Sequence, residues 1–305
     1  MFSFRRNEIL PVEAYGKLPI AKDYLRVGCS EGASAQWRDW LDRAYSGSAG
    51  GVFPKLAWPA RFLVGEAWGE PLVGVLWPSS DAGGLRKFPI SFHVERRRKL
   101  VAHDLEQGWR ATAGVWQALD ALRERTAGES DGQRFLASVR ACELEVERIG
   151  AVDEDGLDFG EWKRAIDAEG EGLDGLLRRL AELRRAGPRA MLRVPLVAHG
   201  SLVAQARAWW SLCCEIGVLD RAQVPTVVLP ARVPEPDEAA FALFSARVLT
   251  AQDVIWLAPP TMAGTAGIED LADPLARRAQ GACEAPQPLE NSLRGAWTSF
   301  AARRG

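Results

Sequence analysis

Residues 72–90 read Leu-Val-Gly-Val-Leu-Trp-Pro-Ser-Ser-Asp-Ala-Gly-Gly-Leu-Arg-Lys-Phe-Pro-Ile. An apolar run ends at Trp77-Pro78, a polar Gly-bearing loop follows, and a second apolar run begins at Phe88. The layout predicts two strands joined by a loop whose polar groups are Ser79, Ser80, Asp81 and Arg86. Loops held between rigid strands are where binding groups concentrate. Because Leu72–Trp77 is apolar almost throughout, it reads as a central strand covered on both faces.

Upstream, Ala60–Val64 is a further strand, and Val12–Tyr15 a short first one ending at Gly16. A second polar loop, Tyr15-Gly16-Lys17-Leu18-Pro19, precedes Asp23-Tyr24. Trp37, Trp40, Leu41 and Ala44 fall at i, i+3, i+4 and i+7, a helix over Ala33–Ala44 with one apolar face. Downstream, Phe88–Glu95 is the second hairpin strand, and Asp104 to about Arg125 a long helix with Leu105, Trp109, Val115, Trp116, Leu119 and Leu122 inward. Residues 128–187 are charged and poor in strand formers. Within them Phe135–Ile149 reads as a helix, and Leu173, Leu176, Leu177, Leu180 and Leu183 form a helical stripe stopped by Gly187-Pro188.

The last third alternates again. Met191–Ala198 is strand-like, Ser201–Ile216 helical with Ser201 as its cap, Thr226–Leu229 a strand, Glu238–Val248 helical behind Pro236-Asp237, and Val254–Leu257 a strand. The tail after Pro259 reads as loop and peripheral helix. Helices interleaved with apolar strands predict an α/β fold, a three-layer αβα sandwich with a mixed central sheet and an added helical subdomain. The expected organisation is 1–127 as the first half of the α/β domain, 128–187 as a helical insertion, and 188–305 as the second half and tail.

The chain's 305 residues, 47% apolar and 26% charged, are ordinary for a globular protein with a sizeable core. A net charge of −2 offers no basic field for nucleic acid or anionic lipid. No apolar run reaches the roughly 18 residues that span a bilayer, and no secretory signal follows Arg5 and Arg6. Five Cys, with no C-x-x-C spacing, predict a reduced, cytoplasmic chain.

Sequence motifs nominate no catalytic residue, no metal set and no cofactor. Gly16-Lys17 lacks the phosphate-loop spacing, which needs Gly at 11 and Ser or Thr at 18 where Pro11 and Leu18 stand. His93, His103 and His199 are far apart, and none forms an i, i+4 pair with His or Cys; His93 reads as a core group. Asp153–Asp158 has Asp158 at the sixth position, where a calcium loop needs Gly, and Arg164 follows at the twelfth, where it needs Glu; Gly200-Ser201 lacks the nucleophile elbow.

Taken together, several segments resemble the TagF family, accessory proteins of bacterial type VI secretion. They are Gly16-Lys17-Leu18-Pro19 with Asp23-Tyr24, Trp37-x-x-Trp40-Leu41, Pro59-x-x-Phe62, and Gly74-Val75-Leu76 through Pro78-Ser79, Asp81, Gly84, Arg86 and Phe88-Pro89. Trp209-Trp210, Val227–Pro230, Phe241 and Leu243 are more loosely similar to its C-terminal half. Lys22 stands where the family has Gly, Leu85 is an extra residue between Gly84 and Arg86, and 128–187 has no obvious counterpart. The resemblance implies a non-catalytic, post-translational regulator, a repressor of secretion, that binds a forkhead-associated scaffold or a sheath component. Gly16, Lys17, Asp23, Ser79, Asp81 and Arg86 are the candidate binding residues, with Lys17, Asp23, Asp81 and Arg86 as a charged cluster where the loops meet. The plainer alternative is that Asp81 and Arg86 only tie their own loop together. A different class of function, an enzyme or a nucleotide- or phosphate-binding protein, would use the same cluster.

Overall fold

The computed structural model of the protein describes residues 9–46, 59–96, 105–145, 157–168, 172–186, 191–220, 223–232, 240–253 and 269–270. The first part of the chain forms β1 (Ile9–Pro11), β2 (Glu13–Gly16), β3 (Leu25–Val27), α1 (Gly32–Ser46), β4 (Ala60–Val64), β5 (Leu72–Trp77), β6 (Ile90–Glu95) and α2 (Leu105–Thr126). Then come α3 (Gly132–Arg140), β7 (Glu143–Glu145), α4 (Phe159–Ala168), α5 (Gly172–Ala186), β8 (Met191–Leu196), α6 (Leu202–Ile216), β9 (Thr226–Pro230), β10 (Ala240–Ser245) and β11 (Glu269–Asp270).

Nine strands make one sheet in the order β11-β8-β10-β9-β4-β5-β6-β2-β3. Its neighbours pair antiparallel, apart from the parallel β11–β8 contact at one edge. The expected mixed α/β sheet is therefore present. Pairing of β4 with β9, Phe62 opposite Val228, joins the early and late strands into a single layer.

Side chains alternate across this layer as strand geometry requires. Val73 and Val75 of β5 and Ile90, Phe92 and Val94 of β6 face a core that also holds Trp116 of α2, Phe135 of α3, Trp162 of α4, Leu180 of α5 and Trp209 of α6. Leu72 and Leu76 face the opposite core, with Phe62 and with Trp37, Trp40 and Leu41 of α1. Helices thus flank both faces. The charged run of α3–α5 is the outer side of helices whose apolar stripes complete the first core. Arg61 of β4, on that same side, donates to Asp120 Oδ2 of α2 at 3.0 and 3.2 Å. Burial raises the Asp120 carboxyl's pKa, and Arg61 acts against it.

Two expectations need correction. Residues 240–245, expected within a helix over Glu238–Val248, are strand β10, fully buried and paired to both β8 and β9. A strand covered on both faces is apolar throughout, so its periodicity does not separate it from a buried helix. Phe135–Ile149 is not one helix: α3 ends at Arg140, and Glu143–Glu145 pairs antiparallel with β1. The expected strand at Val12–Tyr15 is β2, and a separate strand before it, β1, pairs with β7 in a two-stranded sheet of its own. Ser201 does cap α6, its hydroxyl accepting from Ala204 N–H at 3.2 Å. Pro236, Asp237 and Val254–Leu257 lie outside the described residues, as does the tail apart from β11; the side chains of Leu105 and Trp109 are also outside them. Among the described residues no helix is long and apolar enough to cross a membrane.

Past β10, Asp253 accepts two hydrogen bonds from Arg247, at 2.7 and 2.8 Å, and others from the Thr250 backbone N–H and hydroxyl. Burial pushes this carboxyl up, but the Arg247 and Thr250 donors outweigh it and hold it below the usual carboxylate range. A depressed folded-state pKa contributes stability above the unfolded value, near 3.9, that is lost as pH falls through the folded one. Urea titrations at pH 6 and pH 3 should therefore show Asp253→Asn removing stability at the higher pH and little at the lower.

Candidate functional site

The two polar loops emerge at the same end of the sheet because their strands are neighbours. Gly16, the last residue of β2, sits opposite Ile90, the first of β6, and Trp77, the last of β5, sits opposite Ile90 from the other side. Gly16 has φ +149°, and a Cβ there would lie 2.1 Å from the Pro89 carbonyl oxygen. Only glycine lets the two backbones approach so closely. Beyond it, the Ala82 N–H donates to the Ala21 carbonyl at 3.0 Å, tying the loops to each other directly.

Within the hairpin loop, Ser80 and Lys87 form an isolated bridge, and Phe88 N–H donates to Ser79 O at 3.1 Å. Asp81 is buried; its Oδ1 accepts from the N–H groups of Leu85 at 3.2 Å and Arg86 at 3.3 Å. Its Oδ2 is 3.9 Å from Arg86 Nε, whose side chain is 71% exposed. The plainer reading of Asp81 and Arg86 therefore describes their geometry. Replacing Asp81 by Ala should destabilise by about 1–3 kcal/mol, the penalty of orphaned donors, and an urea midpoint within error of wild type would contradict this.

Lys17 is 2% exposed, with Nζ 4.5 Å above the Tyr24 ring. Tyr24 stacks on Tyr15 at 5.4 Å and meets Phe88 edge-on at 4.8 Å. The Tyr15 hydroxyl donates to Asp42 of α1 at 2.6 Å, and burial, then Asp42, push the phenol's pKa up. Asp23 is exposed and Ser79 half-buried. Among the described residues no ion pair links Lys17 or Asp23 to Asp81 or Arg86. The loops meet, but the four charges do not form one cluster. What the rim presents outward is Leu85, 87% exposed, and Tyr24, 41% exposed, beside the exposed Lys22, Arg86 and Lys87. Sequence reading missed this apolar tip, although the extra residue between Gly84 and Arg86 marked it.

A second grouping went unseen because its members come from separate strands. Glu13 of β2 pairs directly with His93 of β6, and Cys29 follows β3. The Cys29 thiol lies 3.5 Å from His93 Nε2, Glu13 Oε2 lies 3.7 Å from the same nitrogen, and Cys29 N–H donates to Glu13 Oε2 at 3.0 Å. Ser91 Oγ lies 3.1 Å from His93 Nδ1 and accepts from the Trp37 indole N–H at 3.0 Å. Cys29 and His93 are fully buried. Burial pushes the imidazole down to about 3 and, with Glu13, pushes the thiol well above its ordinary value. Protein alone thus holds both groups neutral, and a buried neutral thiol is no nucleophile.

Comparison with known proteins adds three findings. Residues 14–142 match the TagF N-terminal domain family, described as type VI secretion system-associated. The crystal structure of PA0076 from Pseudomonas aeruginosa PAO1 is similar at 24% identity and a TM-score of 0.32, over 42% of this chain; the chain spans 60% of that one. No curated protein matches. Over residues 14–142, which hold both loops and the Glu13 strand's partners β3 and β6, the chain is therefore similar to the TagF N-terminal domain, a domain described as type VI secretion system-associated.

Proposed function

We propose that the protein is a non-catalytic regulator of type VI secretion, acting after translation as a repressor by binding a forkhead-associated scaffold or a sheath component. The observation that carries this reading is the rim where the two loops are tied by the Ala82–Ala21 hydrogen bond. There, in a secretion-associated domain, Leu85 and Tyr24 stand exposed among basic side chains. Tyr and Arg are among the side chains enriched at protein-binding hot spots, and Tyr24 and Arg86 both stand exposed there. Tagged protein expressed in a type VI-encoding cell should recover a scaffold or sheath component, and its deletion should raise secretion. Recovery of neither component, with secretion unchanged on deletion, contradicts the reading.

Lys17 favours a second reading, binding of a nucleotide or another phosphorylated ligand. Its buried ammonium lies over an aromatic face and forms no ion pair among the described residues. A ligand at 100-fold its dissociation constant should stabilise the protein by about 2.7 kcal/mol. A flat thermal-shift response across nucleotides and inorganic phosphate, in wild type and Lys17→Met alike, rejects it.

A further inference from the structure

We propose that Cys29, His93 and Glu13 form a metal site for Zn²⁺, built into the sheet where β3, β6 and β2 meet. The three ligand atoms lie within 4.8 Å of one another. Zinc bonds of about 2.3 Å to sulfur and 2.0–2.1 Å to nitrogen or oxygen imply tetrahedral edges of about 3.5 Å for S···N and about 3.4 Å for N···O. The 3.5 Å from Cys29 Sγ to His93 Nε2 and the 3.7 Å from His93 Nε2 to Glu13 Oε2 fall at or near those edges.

Local backbone supports the same assignment. Cys29 has φ +56°, the one non-glycine residue in the left-handed region among those described. Left-handed backbone is unfavourable for a side-chain-bearing residue, and such conformations gather at functional positions. Here it follows Gly28, φ +67°, where a Cβ would strike the Glu13 carboxylate at 2.5 Å. Gly28 therefore admits the carboxylate, and Cys29 turns its thiol toward the imidazole. The Arg38 guanidinium fixes the turn from outside, donating to the Cys29 carbonyl at 2.7 Å.

The chemistry balances. Loading transfers the Cys29 thiol proton to solvent, so thiolate and carboxylate neutralise the dication and imidazole supplies the third ligand without charge. A neutral assembly is what a buried position tolerates. A partner for the other ring nitrogen is also in place: with the metal on Nε2, His93 carries its proton on Nδ1 and donates it to Ser91 Oγ, which also accepts from the Trp37 indole N–H. The ion would clamp the edge strand β3 to β2 and β6, at the end of these strands away from the Tyr24 loop.

The test uses the full chain expressed with added zinc. Elemental analysis should find about one zinc per chain, and cobalt added to chelator-stripped protein should give a thiolate-to-cobalt charge-transfer band. Cys29→Ser should lose zinc and band together, Cys214→Ser should keep both, and Ser91→Ala should weaken cobalt affinity roughly 10–100-fold. Chelation should lower the melting temperature of wild type but not of Cys29→Ser, which separates metal loss from misfolding. Substoichiometric zinc with no cobalt band in a folded wild type overturns the proposal. So does a band that survives in Cys29→Ser.

Discussion

Trp37→Ala is expected to destabilise the protein by about 3–5 kcal/mol, the range for truncating a buried aromatic side chain. Trp37 is 1% exposed, and its ring lies 4.2 Å from Phe62, 4.9 Å from Trp40 and 6.0 Å from Trp68, centroid to centroid. With Trp40 and Leu41 it is one of the side chains through which α1 covers its face of the sheet. Its indole N–H also holds Ser91, so the alanine leaves a cavity and a disturbed hydrogen-bond chain beside His93. Trp37→Phe, which keeps most of the packing and drops only the N–H, should lose about 1–3 kcal/mol. Urea midpoints at constant slope measure both. A loss under about 1 kcal/mol for Trp37→Ala would mean that α1 does not seal this face.

Gly16→Val is expected to rival that loss by a different mechanism. A φ of +149° is strained by about 1–3 kcal/mol for a residue with a side chain. The added Cβ also meets backbone, the Pro89 carbonyl oxygen at 2.1 Å and Ile90 Cα at 2.7 Å, which no side-chain rotation relieves. Relief requires the end of β2 to part from the start of β6, and with it the two loops. Hydrogen exchange at the Ala82 amide, which bonds to Ala21, should accelerate in this variant more than exchange at Val75 in central β5. Wild-type stability and unchanged Ala82 protection would show that the loops do not depend on this approach.

Much of the fold was legible because local and long-range signals agreed. Trp37, Trp40, Leu41 and Ala44 announced α1, and the apolar, Pro-terminated run Leu72–Trp77 announced a central strand whose hairpin partner began within two residues of the expected place. Strand β10 was misread because Ala240–Ser245 is buried on both faces, which erases the alternation that distinguishes strand from helix. Strand β7 was hidden because its three residues owe their form to pairing with β1, more than 130 positions earlier. The site was legible in the same measure. Neighbouring strands place the two loops together, as their motifs anticipated. Which loop residues point outward is a property of side-chain packing: Asp81 turned inward to cap its own loop, and Leu85 turned out. The Cys29–His93–Glu13 trio has no sequence spacing at all, since it exists only after β3, β2 and β6 align.

The central claim is that the joined loop rim is the surface through which this domain meets a secretion component. Titrating purified forkhead-associated scaffold and sheath proteins with wild type, Leu85→Asp, Arg86→Glu and Val248→Asp tests it directly. Val248 is 42% exposed and lies just beyond β10, away from both loops in sequence, so it controls for a generic added charge. The account predicts saturable binding by wild type and Val248→Asp to one of these components, weakened at least about tenfold, or 1.4 kcal/mol, in both loop variants. Equal binding by all four proteins, or none by wild type to either component, would contradict it.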